Sequence, residues 1–326
     1  MVATQLAEQA LGLYDLPRYA SVRLVSISEN EIYRVEAPSG RRWALRIQRP
    51  GYQSKSSLAS EMAWLSALRR DGVVATQIPV AGLDGEWVQV ARDVARDPDG
   101  GEARNVVLFE WVNGSHPRMD MDLRQCFRSL GAIAAQMHVH SRSWQQPEGF
   151  DRFTWDFETA LGETPRWGRW RDALGMNAGR LDLFGRTAEL IAERLSRYGS
   201  GPDRFGLAHC DLRLDNLLLD QSKIKVIDFD DCGFSWYMYD AAAGVSFYEH
   251  LPQVRGLIEC WLEGYRTVSA VSRAEEEEIP TFIMLRRLLL VAWVGSHAET
   301  ALARSLGASY TDQTVALCAA YLRRFG

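Results

Sequence analysis

The chain has 326 residues, enough for one large or two modest domains with an ample core, and its 47% apolar fraction is ordinary for a soluble globular protein. A net charge of −5 with no basic stripe argues against a nucleic-acid partner. Five scattered cysteines give neither a disulfide framework nor a Cys-x-x-Cys metal site, so a reducing cytoplasm is expected; no signal-peptide pattern opens the chain, and the longest apolar run, Leu288–Val294, is too short to span a bilayer.

Val2 to Leu13 reads as a short amphipathic helix ended by Pro17. Val22–Ile27, Ile32–Val35 and Trp43–Ile47 read as strands, joined by Ser28-Glu-Asn-Glu31 and by the turn signal Pro38-Ser-Gly-Arg41. Side chains alternate along a strand, which sends Arg46 to the face opposite Leu45 and Ile47. Ser57 to Leu68 carries Leu58, Met62, Leu65 and Leu68 at helical spacing, with Glu61 among them. Glu86–Arg92 and Asn105–Trp111 follow as strands, split by the turn-rich Asp97-Pro-Asp-Gly-Gly101. Strand propensity then gives way to turn residues along Phe109-Glu-Trp-Val-Asn-Gly-Ser115.

Beyond that point helices dominate, at Leu123–His138, Asp182–Leu195, Leu257–Thr267 and Glu276–Glu299. His138 and His140 lack a third ligand of suitable spacing and read as histidines favoured by a helix C-terminus. Trp144 to Trp170 is unusually aromatic, which suits either packing of an irregular segment or a substrate-side insertion. Cys232 to Asp240 opens a helix through Ala241–Val245, with Asp240 as its N-cap or as a support for a neighbouring loop. The run Glu275–Glu278 reads as a solvated helix start. Arg286, Arg287 and His297 suit either the substrate cleft or the surface, and the sequence does not separate the two.

The chemistry concentrates in Leu207-Ala-His-Cys-Asp-Leu-Arg-Leu-Asp-Asn-Leu-Leu-Leu219 and Ile224-Lys-Val-Ile-Asp-Phe-Asp-Asp231. Leu217–Leu219 and Ile224–Ile227, joined by Asp220-Gln-Ser-Lys223, form a hairpin pattern. A hairpin returns the chain, so Asn216 and Asp228 should end side by side, with Asp211 in the polar loop just before them. A carboxylate able to accept a proton then lies beside an Asn/Asp pair whose hard oxygens suit Mg²⁺. Turn residues capping their own backbone are the bland alternative, and the number of positions that agree at once outweighs it.

The spacing His209-x-Asp211-x-x-x-x-Asn216, then Asp228-Phe-x, matches the protein-kinase pattern. Cys210 stands where protein kinases usually carry Arg, and Asp230 replaces the Gly of Asp-Phe-Gly. With these departures the chain resembles the aminoglycoside phosphotransferase/choline kinase superfamily, including its homoserine-kinase-like members. The resemblance implies a two-lobed, protein-kinase-like α+β fold with ATP in the cleft. A nucleotide-binding lobe with a small antiparallel sheet would span 1–109, a hinge 110–115, and a larger, mainly helical catalytic and substrate-binding lobe 116–326.

The same resemblance assigns roles. Asp211 would accept the proton of an acceptor hydroxyl, Arg213 would lie near the transferred phosphate, and Asn216 and Asp228 would hold Mg²⁺. Arg46, in Ala44-Leu-Arg-Ile47, would pair with Glu61 and position the α- and β-phosphates. The loop over the phosphates lacks Gly-x-Gly, leaving Ser28 and Asn30 with nearby backbone N–H groups. Adenine would bond to the backbone of Glu110 and Val112. Asp231, Trp236 and Tyr237 would face the acceptor, the two rings stacking on a sugar or meeting an ammonium group, or else filling core. The expectation is an ATP- and Mg²⁺-dependent kinase of a small-molecule hydroxyl, on an aminoglycoside, amino alcohol, hydroxy amino acid or sugar. A Ser/Thr protein kinase would need an activation segment ending in Ala-Pro-Glu, and none follows Asp228. A non-catalytic nucleotide-binding module usually has Asp211, Asn216 or Asp228 broken, and all three are intact.

Overall fold

The structure, a computed structural model, describes residues 2–92, 103–221 and 223–326; the turn expected at Asp97–Gly101 and Ser222 of the hairpin turn lie outside the described residues. The chain divides into two compact units, one of Met1–Gly114 with Gln145–Arg152, the other of Ser115–Trp144 with Phe153–Gly326.

In the first unit α1 (Val2–Leu11) precedes the strands β1 (Ser21–Ile27), β2 (Glu31–Glu36) and β3 (Arg42–Ile47). Then come α2 (Lys55–Arg70), β4 (Pro79–Val80), β5 (Gln89–Arg92) and β6 (Ala103–Glu110). The sheet runs β1-β2-β3-β6-β4, with β5 also paired to β6, and every pairing is antiparallel. The period of two sorts its side chains into two cores. Tyr33, Val35, Leu45, Ile47, Val106 and Leu108 meet Leu6, Ala7 and Ala10 of α1. On the other face Val107 and Phe109 meet Leu58 and Met62 of α2. Arg46, opposite Val107 in the β3–β6 register, falls on the α2 face as alternation requires. Ser54 caps α2 by accepting from the Ser57 N–H at 3.0 Å. The segment 145–152 joins this unit through the same helix: the Asp151 N–H donates to Ser60 Oγ at 2.8 Å and Arg152 donates to the Ser57 carbonyl at 3.1 Å.

The second unit holds α3 (Arg124–Ser143), α4 (Phe157–Leu161), α5 (Ala178–Tyr198), β7 (Phe205–Ala208), β8 (Leu217–Asp220), β9 (Lys223–Val226) and β10 (Gly233–Trp236). It continues with α6 (Tyr239–Gly244), α7 (Val254–Arg266), α8 (Arg273–Ser296) and α9 (Ala301–Phe325). The hairpin β8–β9 forms as expected, with Leu217 opposite Val226. The antiparallel pair β7–β10 and the helix α9 are additions to the sequence reading. Helices α3 and α7 cross at two glycines. A Cβ at Gly131 would lie 1.9 Å from the Trp261 carbonyl oxygen, and one at Gly264 would lie 1.7 Å from that of Arg128. Helix α8 is long and apolar because most of its apolar stretch is buried inside the unit. A capping box between Ser272 and Glu275 starts it, in agreement with an acidic helix start.

Candidate active site

Strand β7 delivers the chain into His209-Cys-Asp211, and β10 pairs alongside it with Gly233 opposite Ala208. Cys210 takes φ +64°, a left-handed conformation that costs a residue with a side chain about 1–3 kcal/mol unless its surroundings hold it. They do. Asp240, in the first turn of α6, accepts the Cys210 N–H at 2.7 Å and the His209 N–H at 3.4 Å, while Arg286 donates to the Cys210 carbonyl at 3.2 Å. Asp240 is therefore a support for the loop and not a helix cap. Its Oδ2 also lies 2.9 Å from His138 Nε2, and His138 Nδ1 lies 3.1 Å from the Tyr265 hydroxyl. This corrects the helix-terminus reading of His138: α3 runs on to Ser143, and the ring is buried as a partner of Asp240.

Burial lowers the pKa of His209 and keeps its ring neutral, so Nδ1 can accept the Asp211 N–H at 3.3 Å. Burial pushes the Cys210 thiol well above its ordinary value, which makes it a packing residue and not a nucleophile. Asp211 itself is 7% exposed. Its Oδ2 accepts from Asn216 Nδ2 at 2.7 Å and from Arg213 Nε at 3.3 Å, and its Oδ1 accepts from Arg286 Nη2. Arg213 also reaches Asp215 at 2.6 Å. Burial opposes the Arg286 charge, but Tyr239, Asp211 and Asp231 hold it protonated beyond the usual arginine range.

The hairpin pairing runs on to the residue before Asp228, for the Ile227 N–H donates to the Asn216 carbonyl at 2.9 Å. The Asn216 amide nitrogen is committed to Asp211, so Oδ1 is the atom with which it could hold a metal. Asp228 takes φ +62° at the end of the hairpin. An amide oxygen and a carboxylate are hard donors that fit Mg²⁺, an ion that keeps several waters and takes further ligands from phosphates. Among the described residues no three His, Cys, Asp or Glu side chains cluster into a protein-only metal cage. The donor set fits a metal that arrives with a nucleotide.

In the first unit Arg46 and Glu61 form a two-pronged pair, Nη1 to Oε1 at 3.0 Å and Nη2 to Oε2 at 2.6 Å, both side chains buried. The Arg46 guanidinium also lies 5.3 Å from the Phe109 ring. In the β1–β2 connection Asn30 is buried, and its Oδ1 accepts from the Arg49 N–H at 3.3 Å, so this side chain shapes the loop; Ser28 is half-buried, and its N–H donates to the Asn30 carbonyl. The Glu110 N–H is already given to the Ile78 carbonyl at 2.8 Å.

Two expected acceptor residues need correction. Trp236 is 5% exposed, with Nε1 on the Gly199 carbonyl at 2.8 Å and its ring against Phe205 and Phe282. Tyr237 is 2% exposed, 4.6 Å from the His138 ring, with Arg142 over its face. Pairing of β10 with β7 carries both into the core, where neither offers a face to a ligand. Asp231 is also buried, and its backbone carbonyl accepts from Trp155 Nε1 at 2.8 Å. Trp155, Trp167 and Trp170 of the aromatic segment are packed inside; Trp155 and Trp167 meet edge-on at 4.9 Å, and Trp167 lies 5.2 Å from the Arg286 guanidinium. The sequence did not single out Tyr239 and Ser246, and it gave Arg286 and His138 no part in holding the loop. For Arg286 the signal is two adjacent arginines inside the apolar run Ile279–Val294, where a charge must find a buried partner.

This fold and this Asp/Asn/Asp constellation define a protein-kinase-like enzyme that phosphorylates small molecules. Residues 21–271 match the model of the APH phosphotransferase enzyme family, and the chain belongs to that family. It is a kinase acting on hydroxyl-bearing small molecules. Among solved structures, a microcompartment-associated aminopropanol kinase is 44% identical, with a TM-score of 0.89 over 99% of this chain and 98% of that one. The amicoumacin kinase of Bacillus subtilis (strain 168) is 26% identical over 297 residues, 88% of this chain and 83% of that protein. An amicoumacin kinase solved with AMP-PNP, Ca²⁺ and Ami shares the fold at 22% identity, with a TM-score of 0.77 over 95% and 92% of the two chains.

Proposed function

We propose that the protein transfers the γ-phosphate of ATP, with Mg²⁺, to the hydroxyl of a small amino alcohol. The observation that carries this reading is Asp211, a carboxylate fixed from several sides beside the Asn216/Asp228 pair. Asp211 takes a hydrogen bond from the acceptor hydroxyl and turns its oxygen toward the phosphorus. As the new O–P bond forms and the bond to ADP breaks, the hydroxyl proton passes to Asp211. Positioning and charge neutralisation make up most of such catalysis. Mg²⁺ on Asn216 Oδ1 and Asp228 would supply charge neutralisation at the phosphates. Arg46, held by Glu61, is assigned to the nucleotide's phosphates, with Ser28 and its loop backbone nearby. The backbone of Val112 and the Glu110 carbonyl are assigned to adenine. The cysteines that remain free are all buried, which suits the cytoplasmic setting proposed here.

The amino-alcohol acceptor is favoured by the likeness to an aminopropanol kinase over nearly the whole chain. Likeness to an amicoumacin kinase favours a second reading, a larger antibiotic-type acceptor. A panel with γ-labelled ATP separates them: 1-amino-2-propanol, ethanolamine, homoserine, kanamycin and amicoumacin. The proposal expects the highest kcat/KM with 1-amino-2-propanol or ethanolamine. Preference for amicoumacin would replace it with the second reading, and transfer to none of the five would remove the amino-alcohol assignment.

A further inference from the structure

We infer that Arg286 is the positioning residue that sets the orientation of Asp211, an inference that rests on the kinase reading above. Arg286 arrives from α8, far along the chain, with its side chain 1% exposed. Every arm of its guanidinium is used. Nε donates to Ser246 Oγ at 3.1 Å, Nη1 to the Tyr239 hydroxyl and the Cys210 carbonyl at 3.2 Å each, and Nη2 to Asp211 Oδ1. So deeply enclosed a group has no surface to offer a substrate, and it acts through Asp211.

The two oxygens of Asp211 are held from different elements. Oδ1 takes Arg286, while Oδ2 takes Asn216 Nδ2 at 2.7 Å and Arg213 Nε at 3.3 Å. A carboxylate offers about four lone-pair directions, and these donors occupy three of them. What is left accepts a hydroxyl from one direction only. Without Arg286 only Oδ2 is still held, by Asn216 and Arg213, so Oδ1 can swing out of place, and the Cys210 carbonyl at the strained φ loses its partner. The residue after Ser246 ties in the other arginine: Phe247 takes φ +71° and sets its ring 5.8 Å from the Arg213 guanidinium. Residues 246–247 thus back both cations that hold Asp211.

A misplacement of about 1 Å at a reacting group costs on the order of 10²-fold in rate. The account therefore expects Arg286→Met to lower kcat about 10²-fold per folded molecule, with KM for ATP and the calorimetric MgATP Kd within about two-fold of wild type. Arg286→Lys keeps the charge but cannot reach Asp211, Cys210 and Tyr239 together, so its kcat should fall between those of Met and wild type. Tyr239→Phe, which removes one bond to Nη1 and leaves the core filled, should also lower kcat and spare MgATP binding; it serves if Arg286→Met does not fold. If Arg286→Lys and Tyr239→Phe melt earlier yet keep wild-type kcat per folded molecule, Arg286 is only a structural support and the inference is wrong. Lost MgATP affinity with kcat retained would move Arg286 to the nucleotide and likewise overturn it. A wild type that phosphorylates no acceptor fails one step earlier, removing the kinase reading and this inference with it.

Discussion

Arg286 and Arg287 are neighbours on α8, equally buried, and their guanidinium groups serve different regions. Successive helical residues point about 100° apart. Arg286 turns to the loop of Asp211, while Arg287 turns to α9 and the segment after α6. There Nη1 donates to Glu249 Oε2 at 2.7 Å, Nε to Thr314 Oγ1 at 2.7 Å and Nη2 to the Tyr310 carbonyl at 2.9 Å, with the Tyr310 ring 3.5 Å away. Both arginines are fully engaged and each holds a carboxylate. Burial, charge and hydrogen bonding therefore do not mark a functional residue; the partner's place does. One carboxylate stands beside the Asn216/Asp228 pair, and the other, Glu249, is sealed in the core at 0% side-chain exposure.

The sharpest contrast removes one carboxylate from each region. Asp228→Ala should reduce turnover nearly to background at saturating Mg²⁺ while thermal melting stays close to wild type, because a ligand atom is lost and not a core contact. Glu249→Ala should do the reverse. It strands the Arg287 charge and should cost about 3–5 kcal/mol of stability by denaturant titration, with kcat per folded molecule unchanged. Melting loss without activity loss in the first, or activity loss without melting loss in the second, would erase the distinction.

Smaller effects sharpen it. The Arg46–Glu61 pair is as buried as Arg287–Glu249 but is assigned to ATP, so Arg46→Ala should raise KM for ATP about ten-fold or more, and KM for the acceptor less. The opposite pattern in steady-state kinetics would move Arg46 out of the nucleotide site. Smallest are the matched hydroxyls. Ser246→Ala and Thr314→Val each remove one acceptor from an arginine Nε, and each should cost about 1–2 kcal/mol. Only Ser246→Ala should lower kcat; equal kcat values for the two variants would break the comparison.

Legibility in the sequence followed chain distance. Asp211, Asn216 and Asp228 lie within one stretch, and a single hairpin, which forms as its pattern predicts, separates the last two. The Arg46–Glu61 pair came from the resemblance, and strand alternation set only the sheet face that Arg46 takes. Arg286 reaches the loop from α8, Tyr239 and Ser246 bond Arg286, and His138 bonds the loop's support Asp240; helical periodicity does not say which side chain of one helix meets a loop from another. Trp236 and Tyr237 misled because aromatic residues just after Asp228 suit a ligand as well as a core, and only the pairing of β10 with β7 decides. Helix α9 escaped because Gly307, at φ +49°, breaks it and small residues blur its apolar stripe.

The central claim is that Asp211 serves phosphoryl transfer and not nucleotide binding. Asp211→Asn keeps size and shape and removes the capacity to take a proton, so it isolates that role. Calorimetry with MgATP and transfer from γ-labelled ATP to the best acceptor should be run on the same melting-checked preparation. The account predicts an unchanged MgATP Kd and a transfer rate lower by ~10²–10⁴. A variant that binds MgATP and transfers phosphate at the wild-type rate would contradict it.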